Sequence, residues 1–262
     1  MQISRIVASP NSKSAWNELL LYAPAILSKP KRGGAKRNIN NIINRRTANW
    51  DKDRPRDSIP PANNKRSCKD KNEDQYLVAA VRSKLEAGNL KATFRILCSE
   101  DTPAPPNEAT LQALKEKHLG PASDRRPPID PSGDTRYTPL EINSADIKRA
   151  LRTFPSGCSG GPDGLTPQHL VDQLAGDDDG ELLNALTDLT NLMLAGKFDT
   201  DINSIIYGGR LIALSKKGVG VRPIAVGYTV RRLTAKCANT HVIEERSKNS
   251  SSETSWSWSS SR

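Results

Sequence analysis

Apolar residues recur every three or four positions in several parts of the chain, and this spacing predicts amphipathic helices. Residues 72–98 show the pattern with a break at Gly88-Asn89, so two consecutive helices are expected there. The pattern is strongest over residues 181–195, where Gly196 ends it. The apolar face of this predicted helix consists of Leu182, Ala185, Leu186, Leu189, Leu192 and Met193.

Capping residues mark the start of further helices. Asn107 and Ser144 each precede an apolar helical stripe, and Thr166-Pro167 combines a capping side chain with a proline in the first turn. A short helix is also expected over residues 12–28, interrupted at Pro24. A last helix carries Val230, Leu233, Cys237 and His241 on one face.

Two short apolar runs, residues 210–215 and 221–226, flank a tip that contains glycine, and this arrangement predicts a β-hairpin. Pro223 has no backbone N–H to donate, so the second run is expected at the edge of the sheet. The predicted fold class is therefore α+β, mostly helical, with one β-hairpin.

Composition divides the chain into four parts. Only 35% of the residues are hydrophobic and 5% aromatic, so we expect a packed core in part of the chain and disorder elsewhere. Residues 1–71 are predicted to be a basic, largely disordered arm, and residues 72–140 a helical region followed by a Pro-rich linker. Residues 141–241 are the better-ordered part, and residues 242–262 form a serine-rich, low-complexity tail.

The positive charge is concentrated in one segment. Residues 29–71 hold 14 Lys and Arg against 4 Asp and Glu, a net charge of +10 that equals that of the whole chain. A polyanionic partner such as RNA or DNA fits this concentration, and so does a solvated tail with no fixed partner. Trp50 lies in this segment either as an isolated anchor or as a plain exposed residue.

Several classes of protein are excluded by what the chain lacks. No stretch approaches the roughly 20 apolar residues of a membrane span, and the first residues hold no signal-peptide core, so an intracellular protein, nuclear or cytoplasmic, is expected. The four cysteines and three histidines are scattered, which argues against zinc and for reduced thiols. Asp177–Asp179 do not match a calcium loop, and we expect them to stabilise a helix N-terminus.

Two glycine-containing segments carry the candidate chemistry. Gly157–Gly164 follows a helix and lacks the Lys-Ser/Thr of a P-loop, so its residues alone favour a flexible connection. At the hairpin tip, Lys216 and Arg222 suit a triphosphate, because Lys supplies a point charge and Arg a planar fork of donors. The alternative for the tip is a basic, exposed turn.

The order of these segments resembles a known family. "FPSGCSGGPDGLTPQHL", a leucine-rich helix and "GGRLIALSKKGVGVRPIAVGYTVRRLTAKC" together resemble the fingers subdomain of reverse transcriptases from non-LTR, LINE-like retrotransposons. The resemblance covers Glu141 to about Ala238, and its most specific pieces are Gly161–Leu165 and Arg222–Ile224. It implies fingers-like helices around a hairpin that folds over the incoming deoxynucleotide.

By this resemblance, the predicted nucleotide-binding residues are Lys216 or Lys217 together with Arg222. The predicted nucleic-acid-binding residues are Gly161, Gly164, Arg231, Arg232 and Lys236. The basic arm would hold RNA or DNA through phosphate contacts that weaken as salt rises.

The chain departs from the family in its catalytic residues. Family members polymerise with palm aspartates that hold magnesium, one of them before and the others within a Tyr/Phe-x-Asp-Asp hairpin. No such motif occurs in this sequence, so no catalytic residue and no cofactor are assigned to it. We expect a truncated, retrotransposon-derived fragment that is inactive as a polymerase by itself. The alternative is a non-catalytic helical nucleic-acid-binding or adaptor protein.

Overall fold

The fold is known from a computed structural model that describes residues 2–28, 38–50, 73–98, 102–117, 139–216 and 220–253. These residues form eleven α-helices and one two-stranded antiparallel hairpin, so the predicted α+β, mostly helical class is confirmed. The helices are α1 (Gln2–Ala8), α2 (Lys13–Tyr22), α3 (Ile39–Ala48), α4 (Glu73–Glu86), α5 (Leu90–Leu97), α6 (Glu108–Lys117), α7 (Ser144–Arg152), α8 (Pro167–Leu174), α9 (Glu181–Ala195), α10 (Thr200–Ile206) and α11 (Thr229–Glu253).

Local signals define most helix ends. Asn107 caps α6 and Thr166 caps α8, each through a side-chain oxygen that accepts a backbone N–H of the first turn. The predicted cap of α7 was wrong by one residue. Asn143, rather than Ser144, is the cap, and its amide oxygen accepts the backbone N–H groups of Ala145 and Asp146. Asp146 accepts the N–H of Asn143 in return, which completes a capping box.

Helix α9 lies at the centre of the main core. Leu186 and Leu189 are each about 1% exposed, and Gly196 ends the helix in the left-handed conformation, as predicted. Helices α1, α7, α8 and α11 pack against α9. Val230, Leu233 and Cys237 of α11 are buried in the same core, as predicted, whereas His241, the fourth residue of the predicted face, is partly exposed.

Residues 2–28 contribute to this core, which corrects the prediction that this part of the chain belongs to a largely disordered arm. Ile6 of α1 is fully buried, and Leu20 of α2 is about 1% exposed. The predicted helix near Trp16 is confirmed as α2, and so is its interruption at Pro24: the α-helix ends at Tyr22, and a π-helical turn that contains Pro24 continues to Leu27. The apolar residues of α1 and α2 therefore have a partner surface, supplied by a distant segment of the chain.

Residues 38–50 also differ from the prediction of disorder. They form α3, and Trp50 beyond its end is buried with Leu21 and Ile26 rather than isolated or exposed. The rings of Trp50 and Tyr22 meet edge to face at 5.8 Å between centroids. The rest of the predicted basic arm, residues 29–37 and 51–71, lies outside the described residues.

The hairpin consists of β1 (Gly209–Ser215) and β2 (Val221–Gly227). On its outer side, β1 exchanges backbone hydrogen bonds with residues 102–104, at 2.8 and 3.0 Å. Pro223 lies on β2, which pairs only with β1 among the described residues, so its predicted edge position is confirmed.

The end of the chain differs from the sequence prediction in one respect. Residues 242–253, the first part of the predicted low-complexity tail, continue α11, because a helix that is already nucleated extends through residues of modest propensity. Residues 254–262 lie outside the described residues. No described helix combines the length and the hydropathy that a membrane crossing requires.

Candidate nucleotide site at the hairpin and its base

The tip of the hairpin brings together two of the predicted nucleotide-binding residues. The backbone N–H of Lys216 donates to the carbonyl of Gly220 at 3.1 Å, which continues the ladder one step beyond the Ser215–Val221 pair. Leu214 pairs with Arg222. Because side chains alternate between the two faces of a strand, Lys216 and Arg222 share one face of the hairpin, and both are exposed. Lys217 lies outside the described residues.

The base of the hairpin packs on residues 157–164, here called the glycine loop. Gly161 is buried, and a Cβ atom added there would lie 2.7 Å from Cα of Tyr228 and 2.9 Å from the carbonyl oxygen of Gly227. Such distances are far inside van der Waals contact, so only glycine allows this approach of two backbones. The two most specific parts of the sequence resemblance are Gly161–Leu165 and Arg222–Ile224. The first therefore contacts the end of β2, the strand that contains the second.

A buried carboxyl lies beside this contact. Asp163 is about 3% exposed, and its Oδ1 accepts the N–H of Leu165 at 3.2 Å. Burial raises the pKa of Asp163 to about 6, and this rise is opposed first by backbone hydrogen bonds, chiefly from Leu165, and then by the Arg232 guanidinium. The pKa of the Tyr228 hydroxyl is also raised, mainly because the hydroxyl is partly buried and to a smaller extent because the Asp163 carboxylate lies nearby.

Hydrogen bonds from the first turn of α11 complete the contact. The hydroxyl of Thr229, which is fully buried, donates to the carbonyl of Leu165. Arg232 donates to the carbonyl of Ser159 at 2.6 Å, to Thr229 Oγ1 at 2.9 Å and to Cys158 Sγ at 3.3 Å. The loop is therefore fastened along its length rather than being a loose connection between two helices.

The other two basic residues predicted near the template also have partners within the chain. Arg231 donates to the carbonyl of Tyr207, and its guanidinium lies 5.5 Å from the centre of the Tyr207 ring. Lys236 donates to Thr153 Oγ1 at 2.9 Å and lies over the Phe154 ring at 4.8 Å. Contact of Arg231, Arg232 and Lys236 with nucleic acid stays a prediction.

The remaining predicted positions have simpler surroundings. Gly164 is exposed, and a Cβ added there would meet nothing within 4 Å. Asp177 accepts the N–H groups of Leu182 and Leu183 at 3.0 and 2.9 Å, so it stabilises the N-terminus of α9 as predicted. Across the part of the chain that the structure describes, no three His, Cys, Asp or Glu side chains come together as metal ligands.

Sequence reasoning missed the roles of Asp163 and Thr229. Both stand inside the quoted motifs, but the motifs lie more than 60 residues apart and nothing in their spacing shows that they touch. A signal was present in the Gly-Gly pair before Pro162, since a close approach of two backbones needs glycine.

Comparison with known proteins adds no assignment. No protein-family model matches this chain, and no curated protein is significantly similar to it in sequence.

Proposed function

We propose that residues 141–238 act as the fingers region of a reverse transcriptase of the LINE-like type. In this proposal the hairpin formed by β1 and β2 contacts the triphosphate of an incoming deoxynucleotide through Lys216 and Arg222. The observation that carries the proposal is the placement of these two cations on one face at the exposed tip. The choice of the reverse transcriptase family rests on the order of the two quoted motifs in the sequence.

The chemistry of the tip suits a triphosphate. The ammonium of Lys216 is compact and can follow a flexible anion, while the guanidinium of Arg222 offers parallel donors to two phosphate oxygens. No acidic residue lies between positions 210 and 227, so nothing on the two strands offsets this positive charge.

The proposed nucleic-acid partner is RNA or DNA, held by phosphate contacts of the basic residues between 29 and 71. Of these, Arg45 and Arg46 lie on α3, which is docked on the main fold, so this charge is attached close to the helical core. Binding through such contacts falls as the salt concentration rises, because neutralised phosphates release counterions.

The test compares the tip with another cationic pair. Lys216 and Arg222 are both changed to Ala, and the control changes the exposed Lys148 and Arg152 of α7 to Ala. Affinity for a deoxynucleoside triphosphate is measured by calorimetry with a primer–template duplex present. We expect the tip variant to lose about tenfold or more in nucleotide affinity, as for the loss of charge-assisted hydrogen bonds. Equal affinities in both variants would refute the proposal.

The same samples address the non-catalytic alternative. A nucleic-acid-binding adaptor has no use for the nucleotide, so it binds duplex equally well with or without triphosphate. Replacing Lys29, Lys31 and Arg32 by Gln would then weaken duplex binding and its salt dependence, and the tip variant would change neither.

A further inference from the structure

We propose that the glycine loop and two arginines of α11 form a socket that sets the direction of the hairpin, and that Gly161, Thr229 and Arg232 are positioning residues for the tip. The socket is defined as residues 157–165 together with Arg231 and Arg232. The inference deepens the proposed function, and it rests on that function for the role of the tip. Its mechanical part, the fixing of the hairpin, rests on the contacts alone.

The first step concerns the end of β2. Gly227, Tyr228 and Thr229 carry the chain from the strand into α11 without a loop between them. Gly161 abuts the backbone of the first two, and the third donates to the carbonyl of Leu165. The contacts with Gly161 and with the carbonyl of Leu165 thus fix both the position of this short segment and its rotation.

The second step concerns the start of β1. The guanidinium of Arg231 donates to the carbonyl of Tyr207 and reaches the carbonyl of Gly208 at 3.5 Å, immediately before the strand begins. Its neighbour Arg232 donates to Ser159 and Thr229. Adjacent arginines on α11 therefore hold the two stems of the hairpin, one directly and one through the glycine loop.

The third step concerns the length of the hairpin between its base and its tip. The ladder runs over seven residue pairs from Gly209–Gly227 at the base to Ser215–Val221 near the tip, so a small rotation at the base displaces the tip by a larger distance. Catalytic and binding groups must be held within a fraction of an ångström, so a loosened base weakens the contact made at the tip. Gly161 and Thr229 would affect nucleotide binding without touching the nucleotide.

The test uses Gly161→Ala, with Gly176→Ala as the matched control. Gly176 follows α8, and a Cβ added there would meet only a carbonyl oxygen at 3.9 Å. Amide hydrogen exchange is measured for β1 and β2 and, in the same sample, for α9. We expect hairpin amides to exchange about tenfold faster in Gly161→Ala, with α9 unchanged, because local opening is separable from global unfolding.

A second variant covers the case in which Gly161→Ala does not fold. Thr229→Val keeps the size of the side chain and removes its hydroxyl, which donates to Leu165 and accepts from Arg232. We expect it to raise hairpin exchange several-fold relative to α9. Hairpin exchange at the wild-type rate in the folded variants, or acceleration of α9 in parallel, would overturn the socket.

Nucleotide affinity separates this inference from the proposed function. If both hold, Gly161→Ala lowers affinity for the deoxynucleoside triphosphate although Lys216 and Arg222 are intact. A different outcome would support the socket and refute the nucleotide site. In that outcome Gly161→Ala speeds hairpin exchange, but Lys216→Ala and Arg222→Ala leave the nucleotide affinity at the wild-type value.

Discussion

Asp163 shows how a single residue of a sequence motif can serve the fold. Its carboxyl is buried, and it faces the charged guanidinium of Arg232 on α11 and the neutral, titratable hydroxyl of Tyr228. The dominant effect is burial, which disfavours the charged form and raises the pKa from 3.8 to about 6. Asp163 is therefore mostly ionised at neutral pH in a place that disfavours its charge.

This geometry predicts an unusual pH dependence. Because the pKa is higher in the folded state, the stabilising effect of Asp163 is complete below pH 3.8 and is lost as the pH rises through about 6. Asp163→Asn retains an oxygen that can accept the N–H of Leu165 and carries no charge. We expect it to be more stable than the wild type at pH 7.5, by up to about 3 kcal/mol, and the difference to shrink at pH 5.

Urea unfolding at both pH values measures this difference. Asp172→Asn is the matched control, because Asp172 is exposed on α8. A variant that is less stable than the wild type at pH 7.5 would show that the ionised carboxylate contributes favourably, against the prediction.

At the scale of single elements, α3 shows how a short helix is retained. A helix of ten residues is marginal in water on its own, so α3 depends on its attachments. Arg46 donates to the carbonyls of Ile26 and Ser28 at 2.9 and 2.6 Å, and Trp50 packs beside them. Neighbouring Arg45 is exposed, so two adjacent arginines occupy different environments.

We therefore expect Arg46→Ala to release α3, whereas Arg45→Ala does not. Loss of the two charge-assisted hydrogen bonds should destabilise the docked helix by about 1–3 kcal/mol, seen as faster exchange of the α3 amides. Both substitutions remove one positive charge, so any common effect reports charge alone. Equal protection of α3 in the two variants would contradict the docking role of Arg46.

Helix α5 shows that periodicity does not by itself establish burial. Leu90, Phe94 and Leu97 share its apolar face, yet they are 61%, 66% and 53% exposed, while Thr93 is buried. Helix α5 packs on α4, and no described residue covers its apolar face. The sequence pattern located this helix correctly and could not tell which side it turns to its neighbours.

At the scale of the whole molecule, the core joins the beginning of the chain to its second half. Ile6 is fully buried where α1 packs against α9, about 180 residues further along the chain. This contact makes residues 2–28 part of the unit that supports the hairpin. The stability of that unit should therefore depend on the first helix.

Ile6→Ala provides the test, with Ser4→Ala on the exposed side of α1 as its control. We expect Ile6→Ala to lower the free energy of unfolding by about 2–5 kcal/mol, because the substitution removes buried methyl groups and leaves a cavity. Chemical denaturation followed by circular dichroism measures the loss. A loss below about 1 kcal/mol, no larger than that of Ser4→Ala, would mean that α1 contributes little to the core.

The sequence by itself determined the hairpin, most of the helices and several of their caps, but not α1, α3 or α10. Capping side chains, glycine ends and the period of apolar residues act within a few positions, so Thr166, Gly196 and Asp177 could be assigned without a structure. The pairing across the hairpin follows in the same way from two short runs and the turn between them.

Only the tertiary structure decided which of these elements meet. The packing of α1 on α9, the burial of Trp50 and the fit of Gly161 against Tyr228 each join segments that are far apart in sequence. Such contacts depend on the shape and relative orientation of whole elements, which no local pattern encodes. For the same reason, the motif residues Asp163 and Arg232 could be noticed in the sequence, whereas their contacts at the base of the hairpin could not.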